Sequence, residues 1–199
     1  RTLEQCYPSL QKFVMRDYDV DLFAHFAPTR ELNESFLREH FAAYAIEPDK
    51  VFDEHNYRDR MPCHKVSIQQ NLCQMHSIYQ SNELRRKYEI EHGVKYDWVF
   101  RIRPDALFLS SLENLSTLSK KYCYVPNFAN SPKTPPLYGR VMNRLARSRS
   151  EALHVLVRLI SSSGLFVSIN DQFAFGSGET MDQYAERILH IKNYFDNGM

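Results

Sequence analysis

A helical period running from about His64 to His92 stops at Gly93 and leads into Asp97-Trp98-Val99-Phe100-Arg101-Ile102-Arg103, the best-defined strand in the sequence. Apolar residues at Val66, Leu72, Met75, Ile78, Tyr79, Leu84 and Tyr88 mark the helix, and Gly93 supplies its C-terminal stop. The same order opens the chain. From Thr2 to Tyr18 the residues Leu3, Cys6, Tyr7, Leu10, Phe13 and Val14 fall at helical spacing, with Pro8 expected to kink the helix or delay its start. A short apolar run of Leu22, Phe23, Ala24 and Phe26, closed by Pro28, then reads as a buried strand. Helices that hand over at once to buried strands point to an α/β fold.

Other elements follow from the same rules. Residues 33 to 43 read as a helix with Asn33 as its N-cap, whereas 44 to 63 carry two prolines and show no clear period. Strands are expected at 122 to 126 (YCYVP) and on either side of Asn170-Asp171, in LFVSI and QFAFG. One amphipathic helix is expected from Glu179 to about Asn193, with Met181, Tyr184, Ile188 and Ile191 inward. Residues 129 to 163 stand apart as a basic insert: a Pro-rich loop, then an Arg-dense stretch holding Arg140, Arg144, Arg147, Arg149 and Arg158. A solvated helix with Leu153, Leu156 and Ile160 as its packing stripe accounts for it more simply than a grip on an acidic acceptor or a membrane surface. The length of 199 residues suits one domain bearing that insert.

The charge balance, 25 Lys and Arg against 24 Asp and Glu, gives no overall pull toward nucleic acid, so any anion must be bound locally. No stretch reaches the roughly 18 apolar residues of a membrane span. The chain opens with Arg1, not Met, and is expected to be an excerpt whose compartment the sequence leaves unassigned. Cys6, Cys63, Cys73 and Cys123 show no CxxC spacing and read as buried free thiols, with one incidental disulfide as the alternative.

The strand at 97 to 103 has two unlike faces. Alternation puts Trp98, Phe100 and Ile102 on one and Asp97, Val99, Arg101 and Arg103 on the other. Arginines of such a strand ordinarily pair with acidic neighbours, but that leaves Pro104 and Asp105 unexplained. In open α/β sheets, ligands bind beyond the carboxyl ends of strands, and Arg103 and Asp105 sit at such an end. A guanidinium matches phosphate oxygens in a bidentate way, and a carboxylate is a hard ligand for Mg²⁺ or Mn²⁺. Together they suit a metal-bridged diphosphate.

These residues carry a resemblance. YDWVFRIRPDALF is similar to the strand-end segment of GT-A-fold glycosyltransferases that read YDxVIRxRPDxxF, in which Arg-Pro-Asp stands where others have Asp-x-Asp. RTLEQCYPSLQKFV resembles their first helix, DVDLFAHF their second strand, and INDQFAFGSGETMDQYAERI their downstream Asn-Asp-Gln segment. The resemblance covers roughly 1 to 128 and 166 to 196, and the basic insert matches nothing in it. It implies a three-layer α/β/α sandwich around a mostly parallel sheet, whose first strand would precede Arg1. It also implies transfer of a sugar from a nucleotide-diphosphate donor to a hydroxyl acceptor, expected to be a glycan, with Mn²⁺ or Mg²⁺ as cofactor. Asp105 would bind metal and donor, with Arg103 and Arg101 on the leaving diphosphate and Arg1 reaching the pyrophosphate. Arg-Pro-Asp in place of two aspartates leaves metal dependence open.

Asn170, Asp171 and Gln172 read either as a polar hairpin turn or, with the Gly176-Ser177-Gly178 turn, as an acceptor site in which Asp171 is the general base. Gln70 and Gln74 share a helix face bordering the donor pocket or facing solvent, and Gln74 is the candidate substrate contact. The resemblance makes His64, His76 and His190 conceivable metal ligands, but no HxH or HExxH spacing supports it. Two rival functions stand beside the transferase: a glycoside hydrolase using Asp105 and Asp171, which leaves the arginines unemployed, and a non-catalytic carbohydrate or nucleotide-binding module of the same fold.

Overall fold

Helices and strands alternate from the first helix to the strand at 99–102, as the patterning requires, in a computed structural model that describes residues 2–29, 32–53, 68–108, 111–112, 115–125 and 173–196. The chain divides into two compact units, one of residues 1–123 with 175–199 and one of residues 124–174. Nearly all described residues belong to the first. Of the second, Tyr124, Val125, Phe173 and Ala174 are described. Cys63, His64 and the insert expected at 129 to 163 lie outside the described residues.

Helix α1 spans Leu3–Phe13. Thr2 Oγ1 accepts from Gln5 N at 3.4 Å while the Gln5 side chain accepts from Thr2 N at 3.2 Å, a capping box that satisfies two donors at once. The helix starts on schedule and continues through Pro8, so the late start expected there does not occur. Strand β1 (Phe23–Phe26), helix α2 (Glu34–His40) and strand β2 (Ala43–Ile46) follow. Asn33 caps α2 as its sequence position predicts, its side chain accepting from Ser35 N and Phe36 N. The helix is shorter than expected: Phe41 is its C-cap with extended backbone, and Ala43 to Ile46 pair in parallel with Phe23 to Phe26. This crossover is a β–α–β unit. No strand signal marks residues 43 to 46, since β2 is half-buried throughout and carries no clean alternation.

Helix α3 runs Ile68–His92, and Gly93 takes φ +65° at its end, the left-handed stop the sequence predicts. It leads into strand β3 (Val99–Ile102). Trp98 and Phe100 both pack on Phe175, with the Phe100 and Phe175 rings stacked 5.2 Å apart, so the apolar face is where alternation puts it. β3 pairs with strand β4 (Phe173–Gly176). The strand expected at 122 to 126 does not form over its described part. A turn at Ser119, which accepts from Tyr122 N through its carbonyl, carries into the segment, and only Tyr124 makes a β-bridge.

The single C-terminal helix expected from Glu179 is two: α4 (Gly178–Ala185) and α5 (Arg187–Asp196). Arg187 stands at the break, after the C-cap Glu186. Its Nε donates to Tyr184 O at 2.7 Å and its guanidinium lies 3.7 Å over the Tyr184 ring, taking a carbonyl near the helix end. The main core cluster joins α3 to α5 through Ile68, Leu72, Ile188 and Ile191, with Phe52, Met75 and Tyr79 around it. Burying each such side chain contributes about 1.5–3 kcal/mol. Arg85 on α3 is also buried, and its charge is met by Glu89 at 2.7 Å and by Asp182 of α4, which also accepts from Asn82. Cys6, Cys73 and Cys123 are free thiols; Cys6 is buried and the other two are half-buried. Among the described residues, no helix is long and apolar enough to cross a membrane.

Candidate functional site

The proline after β3 has a local cause. Ala106 N donates to Arg103 O at 3.0 Å, closing a turn in which Pro104 takes the second position, the one its fixed φ suits. The turn brings Arg103 and Asp105 together. Arg103 Nε donates to Asp105 Oδ1 at 2.9 Å and Nη2 to Oδ2 at 2.8 Å, a bidentate fork in which each side chain is about half exposed. That hydrogen bonding is the main reason the Asp105 carboxyl titrates below its usual range, so it is ionised at neutral pH.

Beside this pair a cavity of about 640 Å³ opens within the larger unit. Arg101, Arg103 and Pro104 line it from β3 and its end, and Gln74 and Ser77 line it from α3. Four sequence candidates therefore meet at one place: Arg101, Arg103 and Gln74 on the cavity wall, and Asp105 on the Arg103 fork. Asp97 is not among the working groups of its face, since its carboxylate pairs at 2.5 Å with Lys120 on the surface. Asn170, Asp171, Gln172 and Arg1 lie outside the described residues.

A carboxylate oxygen holds two lone pairs, so Asp105 retains acceptor capacity while Arg103 is bound. It fits the role of a single hard ligand, as Mg²⁺ sites often take one or two carboxylates and complete their shell with substrate phosphates and water. Among the described residues, no group of three or more His, Cys, Asp or Glu side chains is arranged to hold a metal ion.

His25, which sequence reading missed, lies on the cavity wall with Ser77. His25 of β1 is almost fully buried; its Nδ1 lies 3.2 Å from Ser77 Oγ, and its Nε2 lies 3.5 Å from Glu47 Oε2 without hydrogen-bond geometry. The His76 ring meets it edge-on at 5.7 Å. Burial, with Lys50 and His25 nearby, pushes the His76 pKa down. The available signal was period two: His25 shares its strand face with Phe23, which packs on Tyr88 of α3, so His25 had to meet the same helix.

Comparison of the chain with protein-family models, with curated proteins and with solved structures finds no match.

Proposed function

We propose that this chain is the catalytic domain of a glycosyltransferase, its α/β order belonging to a three-layer sandwich of the GT-A type. It would move a sugar from a nucleotide-diphosphate donor to a hydroxyl of an acceptor glycan. The supporting observation is the convergence of Arg101, Arg103 and Gln74 on one cavity wall, with an ionised Asp105 beside them at the end of β3.

The chemistry explains why cations belong there. As the glycosidic bond of the donor breaks, negative charge builds on the departing diphosphate, and preorganised cations that meet it lower the barrier. Arg103 has the fork geometry for two phosphate oxygens and already sits at the rim, so engaging a diphosphate requires it to share or exchange Asp105. A bound divalent cation would supply Lewis-acid stabilisation of the same charge, with Asp105 as its protein ligand. Gln74 offers an amide donor and acceptor to the bound donor molecule. Asp171, as a general base, would take the proton of the attacking hydroxyl.

The closure of Arg103 on its own Asp105 favours a second reading, a nucleotide- or glycan-binding module without turnover, because the fork is already filled. One experiment separates the two. Donor hydrolysis is followed over a panel of nucleotide-sugars with and without Mn²⁺, alongside thermal shifts with UDP and GDP. Turnover with any donor supports the transferase; a shift without turnover supports the module. Neither a shift nor turnover across the panel sinks the transferase and the nucleotide-binding module together.

A further inference from the structure

Two serines one turn apart on α3 use their hydroxyls differently. A serine inside a helix ordinarily turns its hydroxyl back to a carbonyl of the preceding turn. Ser81 does so, its Oγ donating to Ser77 O at 2.7 Å. The Ser77 hydroxyl instead meets another element: its Oγ lies 3.2 Å from Nδ1 of His25 on β1.

His25 is held for that contact. Its side chain is 5% exposed, β1 fixes its backbone, and the His76 ring meets it edge-on at 5.7 Å. The other ring nitrogen, Nε2, is buried without a hydrogen bond and stands 3.5 Å from Oε2 of Glu47. Glu47 is placed there by the end of β2, where its backbone N donates to Phe26 O at 3.0 Å. A buried imidazole kept only for structure would have both nitrogens hydrogen-bonded. Here the carboxylate favours the proton on Nε2, which leaves Nδ1 as the acceptor of the Ser77 hydroxyl. Hydroxyl, imidazole and carboxylate therefore form a chain, and its first two members line the cavity of about 640 Å³. Leu3, Leu10 and Val14 of α1 give that cavity an apolar wall, and Gln74, three residues before Ser77, brings an amide to it.

We propose that Ser77, His25 and Glu47 form an acyl-transfer relay, with Ser77 as nucleophile toward esters of apolar carboxylic acids. Ser77 Oγ attacks the ester carbonyl carbon while its proton passes to His25 Nδ1. The bond from that carbon to the alcohol oxygen then breaks, the departing alkoxide takes the proton from Nδ1, and acyl-Ser77 remains. Water attacks the acyl carbon and gives a proton to Nδ1; the bond to Ser77 Oγ breaks, Oγ recovers the proton, and the carboxylic acid leaves. Glu47 faces Nε2–H and stabilises the imidazolium in both halves. The two ring nitrogens take places opposite to those in the serine proteases, while the order of proton transfer is the same. Gln74 offers an amide donor to the oxyanion, and the α1 wall takes the acyl chain. The relay uses neither a nucleotide nor Arg103 nor Asp105, so its test is separate from that of the transferase reading.

The chain is treated with a fluorophosphonate probe, the modified residue is located by peptide mass, and hydrolysis of p-nitrophenyl butyrate is followed alongside. The label is expected on Ser77. Hydrolysis should fall at least about 100-fold in Ser77→Ala and in His25→Gln, in line with loss of a nucleophile or general base. Ser77→Ala removes one oxygen and should keep Tm within a few degrees, so its loss of rate is not a loss of fold. Glu47 is 61% exposed, and Glu47→Gln should likewise fold while hydrolysing at least about tenfold more slowly. No label on the parent chain, a label on another residue alone, or hydrolysis unchanged in Ser77→Ala would overturn the proposal. A full rate in Glu47→Gln would overturn the three-membered relay.

Discussion

Arg103 and Asp105 grip one another across Pro104 in a bidentate fork, with both N···O distances under 3 Å. One turn thus places a cation and an anion at the same strand end. An exposed pair of this kind contributes at most about 1 kcal/mol to stability. Because the Asp105 pKa is lowered, that contribution is present above the carboxyl's unfolded pKa and is lost as pH falls through the folded value. Asp105→Ala should therefore fold normally, with Tm at neutral pH within a few degrees of the parent, and lose the Mn²⁺-dependent shift with UDP or GDP. Retention of the full nucleotide shift in this variant would remove Asp105 from the donor site.

Arg103→Lys keeps the charge but not the fork, and is expected to lower donor turnover at least about tenfold. Arg101 lies within β3, so Arg101→Lys should act more through Tm than through kcat. The reverse ranking, with Arg103→Lys active and Arg101→Lys folded but inactive, would move the donor site deeper along the strand.

Much of this was legible because it is local. Asn33 as an N-cap, Gly93 as a helix stop and the Trp98/Phe100 face are written in neighbouring residues, and the structure has each of them. Long-range relationships were not legible. β2 is recognisable only through its pairing with β1, and a hydrophobic period continuous from α4 into α5 does not register the split between them. In the site, the arginines and Asp105 stood out because a charged pair at a strand end is unusual by sequence alone. His25 did not, because a single histidine in an apolar run shows its partners only when α3 is laid beside it.

Arg85 tests how the larger unit is held together. Its side chain is 4% exposed and its charge is met by Glu89 and by Asp182. Asp182→Ala leaves a buried guanidinium short of one carboxylate and leaves Asn82 without its acceptor. Breaking a buried pair costs about 3–5 kcal/mol, and the partial exposure of Asp182 puts the expectation near the lower figure. Arg85→Met, which removes the charge itself, should cost clearly less. Urea midpoints of the two variants check the order. If Arg85→Met is the more damaging, the network contributes net stability and is not merely compensating a buried charge.

His76 makes stability depend on pH in a direction that its surroundings fix. Its ring meets His25 at 5.7 Å and Phe52 at 6.0 Å, its Nε2 lies 3.3 Å from Gln80 Nε2, and the charges of Lys50 and Glu47 act on it from the strand side. Desolvation, then Lys50 and His25, lower its pKa; Glu47 opposes them. The folded chain thus takes up the proton less readily than the unfolded chain, whose histidine titrates near pH 6.5. Stability is full above that value and declines as pH falls below it, by up to about 1.4 kcal/mol per pH unit for one proton. His76→Gln removes the titrating ring and should flatten the decline in Tm that the parent shows as pH falls below about 6.5. An identical slope in both proteins would assign the acid sensitivity elsewhere.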